Sequence, residues 1–211
     1  QYVVGEVPFL NVVLKVNENV LIPRPETEEM VSRLFQKVKE GPLSVLDLGT
    51  GSGCMAIAMS KQWSLANVEG WDISERALDT GNESNLLNDT HVLFQKRNIL
   101  ELHDESSEWD IMVSNPPYIP MAESKEMDLG VVQYEPHLAL FVPDEDPLIF
   151  YRAIQKFALR TLKQKGWMAL EVHPRYAQDV AALWREEQGW LISVETDLQE
   201  KERFVFAHRK G

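Results

Sequence analysis

From residue 43 onward, short apolar runs alternate with amphipathic stretches. The alternation predicts strands at 44–48, 68–73, 91–95, 111–114 and 168–172, with helices between them. Such an order favours an α/β fold with a parallel sheet, helices on both faces and a ligand site at the carboxyl ends of the strands. The last two predicted strands, 191–196 and 203–208, form a β-pair, so one antiparallel strand should join a mostly parallel seven-stranded sheet.

Before this alternation begins, residues 1–22 mix short apolar runs with turn residues and predict a small β-hairpin. Pro25 suits the first position of a helix, which Gly41-Pro42 should end. A later helix that Pro147 opens should end at Gly166. We therefore divide the chain into a hairpin remnant, 1–22, and a main domain, 23–211. Because the chain opens inside structured sequence without a methionine, we expect an N-terminal portion to be missing.

Composition narrows the function classes. The 211 residues carry a net charge of −12, which argues against a protein that binds nucleic-acid phosphates directly. The single cysteine excludes an internal disulfide and a cysteine zinc site, and the five scattered histidines do not indicate a metal. With no leader and no apolar run near the ~20 residues of a membrane helix, we expect a cytoplasmic monomer that does not bind membranes.

A glycine-rich turn, Gly49-Thr50-Gly51-Ser52-Gly53, follows the first of these strands. Glycines allow a tight turn and close backbone approach to a ligand. The spacing fits neither the dinucleotide fingerprint nor a phosphate loop, so the turn predicts a different cofactor. Asp72 ends the next strand, where an acidic side chain meets ribose hydroxyls in such sheets. Asp47 could balance a cationic cofactor or could be structural.

The stretch Asn115-Pro116-Pro117-Tyr118 follows the strand that ends at Ser114. Two prolines stiffen the backbone and fix an amide beside an aromatic ring. This arrangement suits a planar NH2 group, whose protons the Asn115 oxygen and a backbone carbonyl accept while the ring of Tyr118 stacks on its plane. The two motifs together predict a cofactor loop and a substrate clamp on one sheet.

These motifs together resemble a Rossmann-like class I S-adenosylmethionine-dependent methyltransferase. Further segments resemble the PrmC/HemK family, which methylates the glutamine side chain in the Gly-Gly-Gln loop of peptide chain release factors. They are the opening Gln1-Tyr2-Val3-Val4-Gly5, the stretch Leu21-Ile22-Pro23-Arg24-Pro25-Glu26-Thr27-Glu28, and the segment Tyr134-Glu135-Pro136-His137-Leu138-Ala139-Leu140.

The resemblance implies roles for individual residues. Gly49–Gly53 would wrap the methionine half of the cofactor, Asp72 would hold its ribose, and Asn98 and Ile99 would contact adenine. Asn115, Pro116 and Tyr118 would hold the glutamine amide, with Pro117 stiffening the clamp. We also place Asn115 among the cofactor contacts. The Pro23–Glu28 turn would line the pocket.

Three departures from the family pattern stand out. Asn98 replaces a usual Asp, and Glu171-Val172-His173-Pro174 replaces a usual Glu-Ile-Gly stretch. The sequence starts where the family's N-terminal helical domain would end, so we expect that domain to be missing. Other functions stay open at this point. An adenine-N6 nucleic-acid methyltransferase uses the same clamp logic, another protein glutamine or a lysine could be the target, and the chain could be a cofactor-binding scaffold without activity.

Overall fold

A computed structural model describes residues 4–102, 108–126 and 134–211. Along the chain the elements are β1 (Glu6–Phe9), β2 (Val12–Lys15), α1 (Pro25–Lys37), β3 (Ser44–Leu48), α2 (Cys54–Gln62), β4 (Asn67–Asp72), α3 (Glu75–Leu87), β5 (Leu93–Lys96), β6 (Trp109–Ser114), β7 (Ile119–Pro120), β8 (Phe141–Val142), α4 (Ile149–Thr161), β9 (Leu162–Glu171), α5 (Ala177–Arg185), β10 (Trp190–Thr196) and β11 (Glu202–Arg209). Short 3-10 turns begin at Ile99, Met121, His137 and Pro174.

Seven strands form the central sheet, in the order β10-β11-β9-β6-β3-β4-β5. Strand β11 is antiparallel to both of its neighbours, whereas the pairs among β9, β6, β3, β4 and β5 are parallel. The predicted α/β fold, with one antiparallel strand in a mostly parallel sheet, is confirmed.

Both faces of the sheet are covered by helices. Because successive side chains of a strand point to opposite faces, neighbouring residues of one strand pack in different clusters. In β3, Val45 packs in a cluster with the hairpin, α1 and α2, while Leu46 and Leu48 pack in a second cluster with α4 and α5. Burial on both faces explains why the central strands are almost continuously apolar.

The N-terminal hairpin, β1 paired with β2, is confirmed for the described part of residues 1–22. It packs on α3, where the Lys15 backbone N–H donates to Ser84 Oγ over 2.9 Å and the Asn17 side chain donates to Thr80 Oγ1, also over 2.9 Å. Its apolar side chains belong to the same cluster as α1 and α2. The first three residues of the family-like opening, Gln1 to Val3, lie outside the described residues.

Two predicted boundaries were wrong. Helix α4 ends at Thr161, and the ten-residue strand β9 follows at once, although Gly166 was expected to end the helix. Gly166 instead lies within the strand, where an added Cβ would be 2.8 Å from Leu162 Cγ and from the Lys163 carbonyl oxygen, and 3.1 Å from the Asp110 carbonyl oxygen on β6. A glycine at this position permits close approach of two backbones. Helix α1 ends at Lys37, before Gly41-Pro42.

Candidate active site

The two sequence motifs leave the sheet side by side. Strands β3 and β6 are parallel neighbours, and Leu48 pairs with Ser114 at their carboxyl ends. The next residues, Gly49 and Asn115, therefore begin their loops at the same edge, and both line one cavity of about 230 Å³. A second cavity of about 200 Å³ adjoins it and also includes Asn115 in its wall.

The glycine turn is built by backbone conformation. Gly49, Gly51 and Gly53 all have positive φ, at 73°, 53° and 80°, a region that residues with a Cβ rarely adopt. Gly53 caps the N-terminus of α2, and an added Cβ there would be 2.8 Å from the Phe94 ring. The chain can thus reverse direction sharply between β3 and α2.

Asp47 holds this turn from inside the protein. Its carboxylate is fully buried and accepts hydrogen bonds from Thr50 Oγ1 at 2.7 Å and from the Ala56 backbone N–H at 3.2 Å. Burial raises the pKa of Asp47 to about 7. Asp47 is not in the wall of either cavity, so the geometry supports the structural alternative over the charge-balancing one. The Cys54 thiol is buried nearby, which raises its pKa to about 12 and leaves it a poor nucleophile.

Asp72 lies in the wall of the first cavity. Its Oδ2 accepts from the Gly51 backbone N–H and its Oδ1 from the Ser74 backbone N–H, both over 2.9 Å. Burial raises the pKa of Asp72, although these hydrogen bonds act to lower it. Two backbone donors thereby fix the orientation of an acidic group between the glycine turn and the start of α3.

The predicted cofactor residues divide into two sets. Those that line the first cavity are Gly49, Gly51, Asp72, Asn98, Ile99 and Asn115. The others, Thr50, Ser52 and Gly53, are absent from the walls of both cavities; Thr50 and Ser52 are buried, and Gly53 caps α2. Asn98 also caps a short 3-10 turn, where its Oδ1 accepts from the Leu100 N–H over 3.0 Å.

The clamp residues face both cavities. Pro117 lines the first, Pro116 and Tyr118 line the second, and Asn115 lines both. The Asn115 side-chain nitrogen donates to Thr27 Oγ1 over 3.1 Å. Within residues 4–102, 108–126 and 134–211, no group donates a hydrogen bond to the Asn115 side-chain oxygen. That oxygen is therefore available to a bound molecule.

A buried carboxylate connects α1 to the clamp. Glu171, at the end of β9, accepts from Thr27 Oγ1 at 2.6 Å and from the Tyr118 hydroxyl at 3.2 Å. Burial raises the pKa values of both Glu171 and Tyr118, so the Tyr118 hydroxyl keeps its proton and remains a donor. The Tyr151 hydroxyl donates to the Glu171 carbonyl oxygen over 3.0 Å and fixes the strand end.

An ion pair closes the wall of the second cavity. Arg24, in the turn before α1, donates from Nη2 to both carboxylate oxygens of Glu135 at 2.7 Å. Glu135 is only 7% exposed, and Arg24 lines the cavity with the apolar residues Leu21, Ile119 and Leu140. The Pro23–Glu28 turn was expected to line the pocket, and Arg24 does so.

His173 lies beside the clamp, with its ring centroid 6.0 Å from that of Tyr118. Its Nε2 is 3.4 Å from the Glu123 carboxylate, and burial lowers its pKa. His173 does not line either cavity. It supports the ring of Tyr118 from outside rather than contacting a molecule in the cavities.

Thr27, Glu171 and Glu135 had no individual role in the sequence analysis. Thr27 and Glu171 are 144 positions apart, and Arg24 and Glu135 are 111 apart, so no local pattern pairs them. The family-related segments at 21–28, 134–140 and 171–174 were the signal, and it pointed to segments rather than to partners.

Among the described residues, no group of three or more His, Cys, Asp and Glu side chains could hold a metal ion. Over the same residues, none of the helices combines the length and apolar character needed to span a membrane.

Comparison with known proteins identifies the family. Residues 27–133 match the family described as the methyltransferase small domain. A release factor glutamine methyltransferase from Flavobacterium psychrophilum is 40% identical over 209 residues, which cover 97% of this chain and 73% of the relative. The chain belongs to the release factor glutamine methyltransferase family. A member from Bacteroides thetaiotaomicron is also 40% identical, over 212 residues that cover 99% of this chain and 75% of the relative.

A solved member of this family has the same fold. The protein-(glutamine-N5) methyltransferase (release factor-specific) from Alicyclobacillus acidocaldarius superposes with a TM-score of 0.58 and 27% identity. The match covers 93% of this chain and 99% of that one. The family membership and the class I methyltransferase fold that the motifs predicted are confirmed.

Proposed function

We propose that this protein transfers a methyl group from S-adenosylmethionine to the side-chain amide nitrogen of the glutamine in the Gly-Gly-Gln motif of peptide chain release factors. The names of its relatives support the activity. The observation that carries the assignment is the position of Asn115, which lies in the wall shared by the two cavities. A donor in the first and an amide in the second would meet at this residue.

The first cavity fits S-adenosylmethionine by its chemistry. Asp72 has lone pairs beyond those used by the Gly51 and Ser74 N–H groups, and these can accept from a ribose diol. Ile73, Ile99 and Leu100 offer an apolar wall to a purine. A Cβ added to Gly51 would have no described atom within 4 Å, so a ligand can approach that backbone closely. We propose that Gly49, Gly51, Asp72, Asn98, Ile99 and Asn115 contact the cofactor, and that Thr50, Ser52 and Gly53 belong to the cofactor-binding turn by holding its shape from behind the wall.

The second cavity fits an uncharged side chain that ends in an amide. Leu21, Ile119 and Leu140 suit the methylene groups of glutamine, and Asn115, Pro116 and Tyr118 suit its amide. The Arg24 guanidinium in the wall is already paired with Glu135 on both carboxylate oxygens. This pairing weakens the electrostatic attraction between the Arg24 guanidinium and a substrate that carries a carboxylate.

In this mechanism the protein mainly orients the reacting nitrogen. The Asn115 oxygen and the Pro116 carbonyl each accept one N–H of the substrate amide, and Tyr118 stacks on the amide plane. When bound, S-adenosylmethionine would supply an electrophilic sulfonium methyl group, whose S–C bond breaks as the N–C bond forms and leaves S-adenosylhomocysteine as the product. The N–H acceptors let the nitrogen pyramidalise, and one proton leaves to water after transfer. Orientation of this kind is worth roughly 7–11 kcal/mol.

We also propose that residues 23–211 form the methyltransferase domain and residues 1–22 an accessory hairpin. The hairpin lies against α3, whose first turn follows Asp72 closely, so it can brace the cofactor side of the cavity. Val20 and Leu21, which follow the hairpin, line the first cavity.

Mass spectrometry of purified release factor after incubation with the protein and S-adenosylmethionine tests the proposal. The expected result is a gain of one methyl group on the Gly-Gly-Gln glutamine. A release factor with that glutamine replaced by alanine is the control and should gain nothing. Methyl transfer to DNA or RNA adenine with no transfer to release factor would overturn the proposal.

A further inference from the structure

The amide of Asn115 is hydrogen-bonded to α1. Its nitrogen donates to Thr27 Oγ1 over 3.1 Å, and that hydroxyl donates to Glu171 Oε2 over 2.6 Å. Thr27 is 2% exposed and Glu171 is 1% exposed. A two-step hydrogen-bonded relay therefore runs from the end of β9, through α1, to the wall between the two cavities.

The direction of this relay fixes the orientation of the amide. The oxygen and nitrogen of an asparagine side chain exchange places when the amide turns by half a rotation, and a hydroxyl group has only one hydrogen to donate. Because Thr27 gives its hydrogen to the Glu171 carboxylate, its oxygen can only accept from Asn115. The amide nitrogen must then face Thr27, and the amide oxygen is left for the cavities.

We propose that Thr27 and Glu171 are positioning residues that lock the Asn115 amide with its oxygen toward the substrate nitrogen, a role that rests on the proposed function. In the opposite orientation the Asn115 NH2 group would meet the NH2 group of the substrate, two donors without an acceptor. The lock thus selects the amide orientation that can accept a substrate N–H.

Glu171 serves both halves of the clamp. Its Oε1 accepts from the Tyr118 hydroxyl while its Oε2 accepts from Thr27. Glu171 must therefore accept a hydrogen bond on each of its two oxygens, and an ionised carboxylate does this. One buried carboxylate therefore sets the amide and the ring that would hold the substrate.

Two substitutions at Thr27 test the lock. Thr27→Val keeps the shape of the side chain and removes the hydroxyl, whereas Thr27→Ser keeps the hydroxyl. We expect kcat for release factor methylation to fall ~10- to 100-fold in Thr27→Val, the range that loss of orientation produces. We expect Thr27→Ser to stay within about threefold of the unchanged protein, and the Kd for S-adenosylmethionine to change little in either.

A double-mutant cycle separates positioning from a general structural role. If Thr27 acts through Asn115, then Thr27→Val should cost nothing further in an Asn115→Ala background, because no amide remains to be turned. Full activity of Thr27→Val, an equal loss in Thr27→Ser, or additive losses in the cycle would each overturn the proposal. Melting temperatures show whether each variant is folded. If Thr27→Val does not fold, Thr27→Ala replaces it in the measurements of kcat and Kd and in the double-mutant cycle.

Failure of the lock and failure of the proposed function give different results. If the unchanged protein methylates release factor and Thr27→Val does so equally well, only the lock is wrong. If the unchanged protein binds S-adenosylmethionine and methylates no release factor, the proposed function is wrong, and the lock falls with it.

Discussion

The two cavities that meet at Asn115 are built in different ways. The first cavity is shaped mainly by the backbone, because three glycines with positive φ form the turn and backbone N–H groups orient Asp72. The second cavity is shaped by side chains that are distant in sequence. Asn115 is hydrogen-bonded to Thr27, 88 positions away, and Thr27 is hydrogen-bonded to Glu171, 144 positions away. The first region is a local structure, whereas the second exists only when the fold is complete.

This difference predicts that the two regions fail separately. Damage to the backbone-built cavity should weaken cofactor binding, and damage to the side-chain clamp should slow methyl transfer with cofactor binding intact.

The largest effect is expected at the clamp. Asn115→Ala removes the acceptor for one substrate N–H, and kcat should fall ~100- to 1000-fold, as when one electrostatic contact to a reacting group is lost. The Kd for S-adenosylmethionine, measured by calorimetry, should change by less than about fivefold. Near-normal turnover in this variant would show that the amide of Asn115 does not orient the substrate.

The same division explains what the sequence could predict. The glycine turn, the strand that ends at Asp72 and the strand that ends before Asn115 are local patterns, and the parallel arrangement brings their carboxyl ends to one edge. Contacts between distant residues leave no such pattern. Thr27 lies in a helix and Glu171 in a strand, and neither type at that position indicates a buried pair. Gly166 misled for a related reason, because one of its close contacts is with the backbone of Asp110 on another strand, which no local pattern shows.

The pH dependence of kcat tests the relay behind the clamp. Burial raises the pKa of Glu171, which faces the hydroxyls of Thr27 and Tyr118, the carboxylate of Glu26 and the guanidinium of Arg203. Protonated Glu171 can donate to Thr27, whose hydrogen would then turn to Asn115 and reverse the amide. Since the carboxylate form is the competent one, kcat should fall as pH decreases through this raised pKa, by up to about tenfold per unit.

The pH profiles of kcat for Thr27→Ser and Thr27→Val show which group causes this fall in kcat at low pH, the acidic limb of the profile. The limb should persist in Thr27→Ser and disappear in Thr27→Val, because valine cannot transmit the protonation state of the carboxylate. Asp47, with its pKa near 7, would give a limb that survives in both variants. A limb unaltered by Thr27→Val would therefore refute the relay through Thr27 as its cause.

A smaller effect is expected on the cofactor side. Gly51→Ala places a Cβ on a residue at φ 53°, a strain of about 1–2 kcal/mol, so the Kd for S-adenosylmethionine should rise ~10-fold. At saturating cofactor, kcat should stay within about threefold. Gly41→Ala is the matched control, because Gly41 is not at positive φ and an added Cβ there meets no described atom. Equal effects in the two variants would mean that backbone conformation at Gly51 does not matter for binding.

The smallest effect is expected at the wall of the second cavity. Arg24→Lys replaces a guanidinium that donates to both oxygens of Glu135 with a single ammonium, which loosens the wall without removing its charge. The KM for release factor should rise about threefold, while kcat and the Kd for S-adenosylmethionine stay close to their original values. Arg185→Lys, on α5 and hydrogen-bonded to Gln178, is the control and should leave all three constants unchanged. If Arg24→Lys instead raised the Kd for S-adenosylmethionine, the two cavities would be coupled through their shared wall, and the separation between a backbone-built and a side-chain-built region would be wrong.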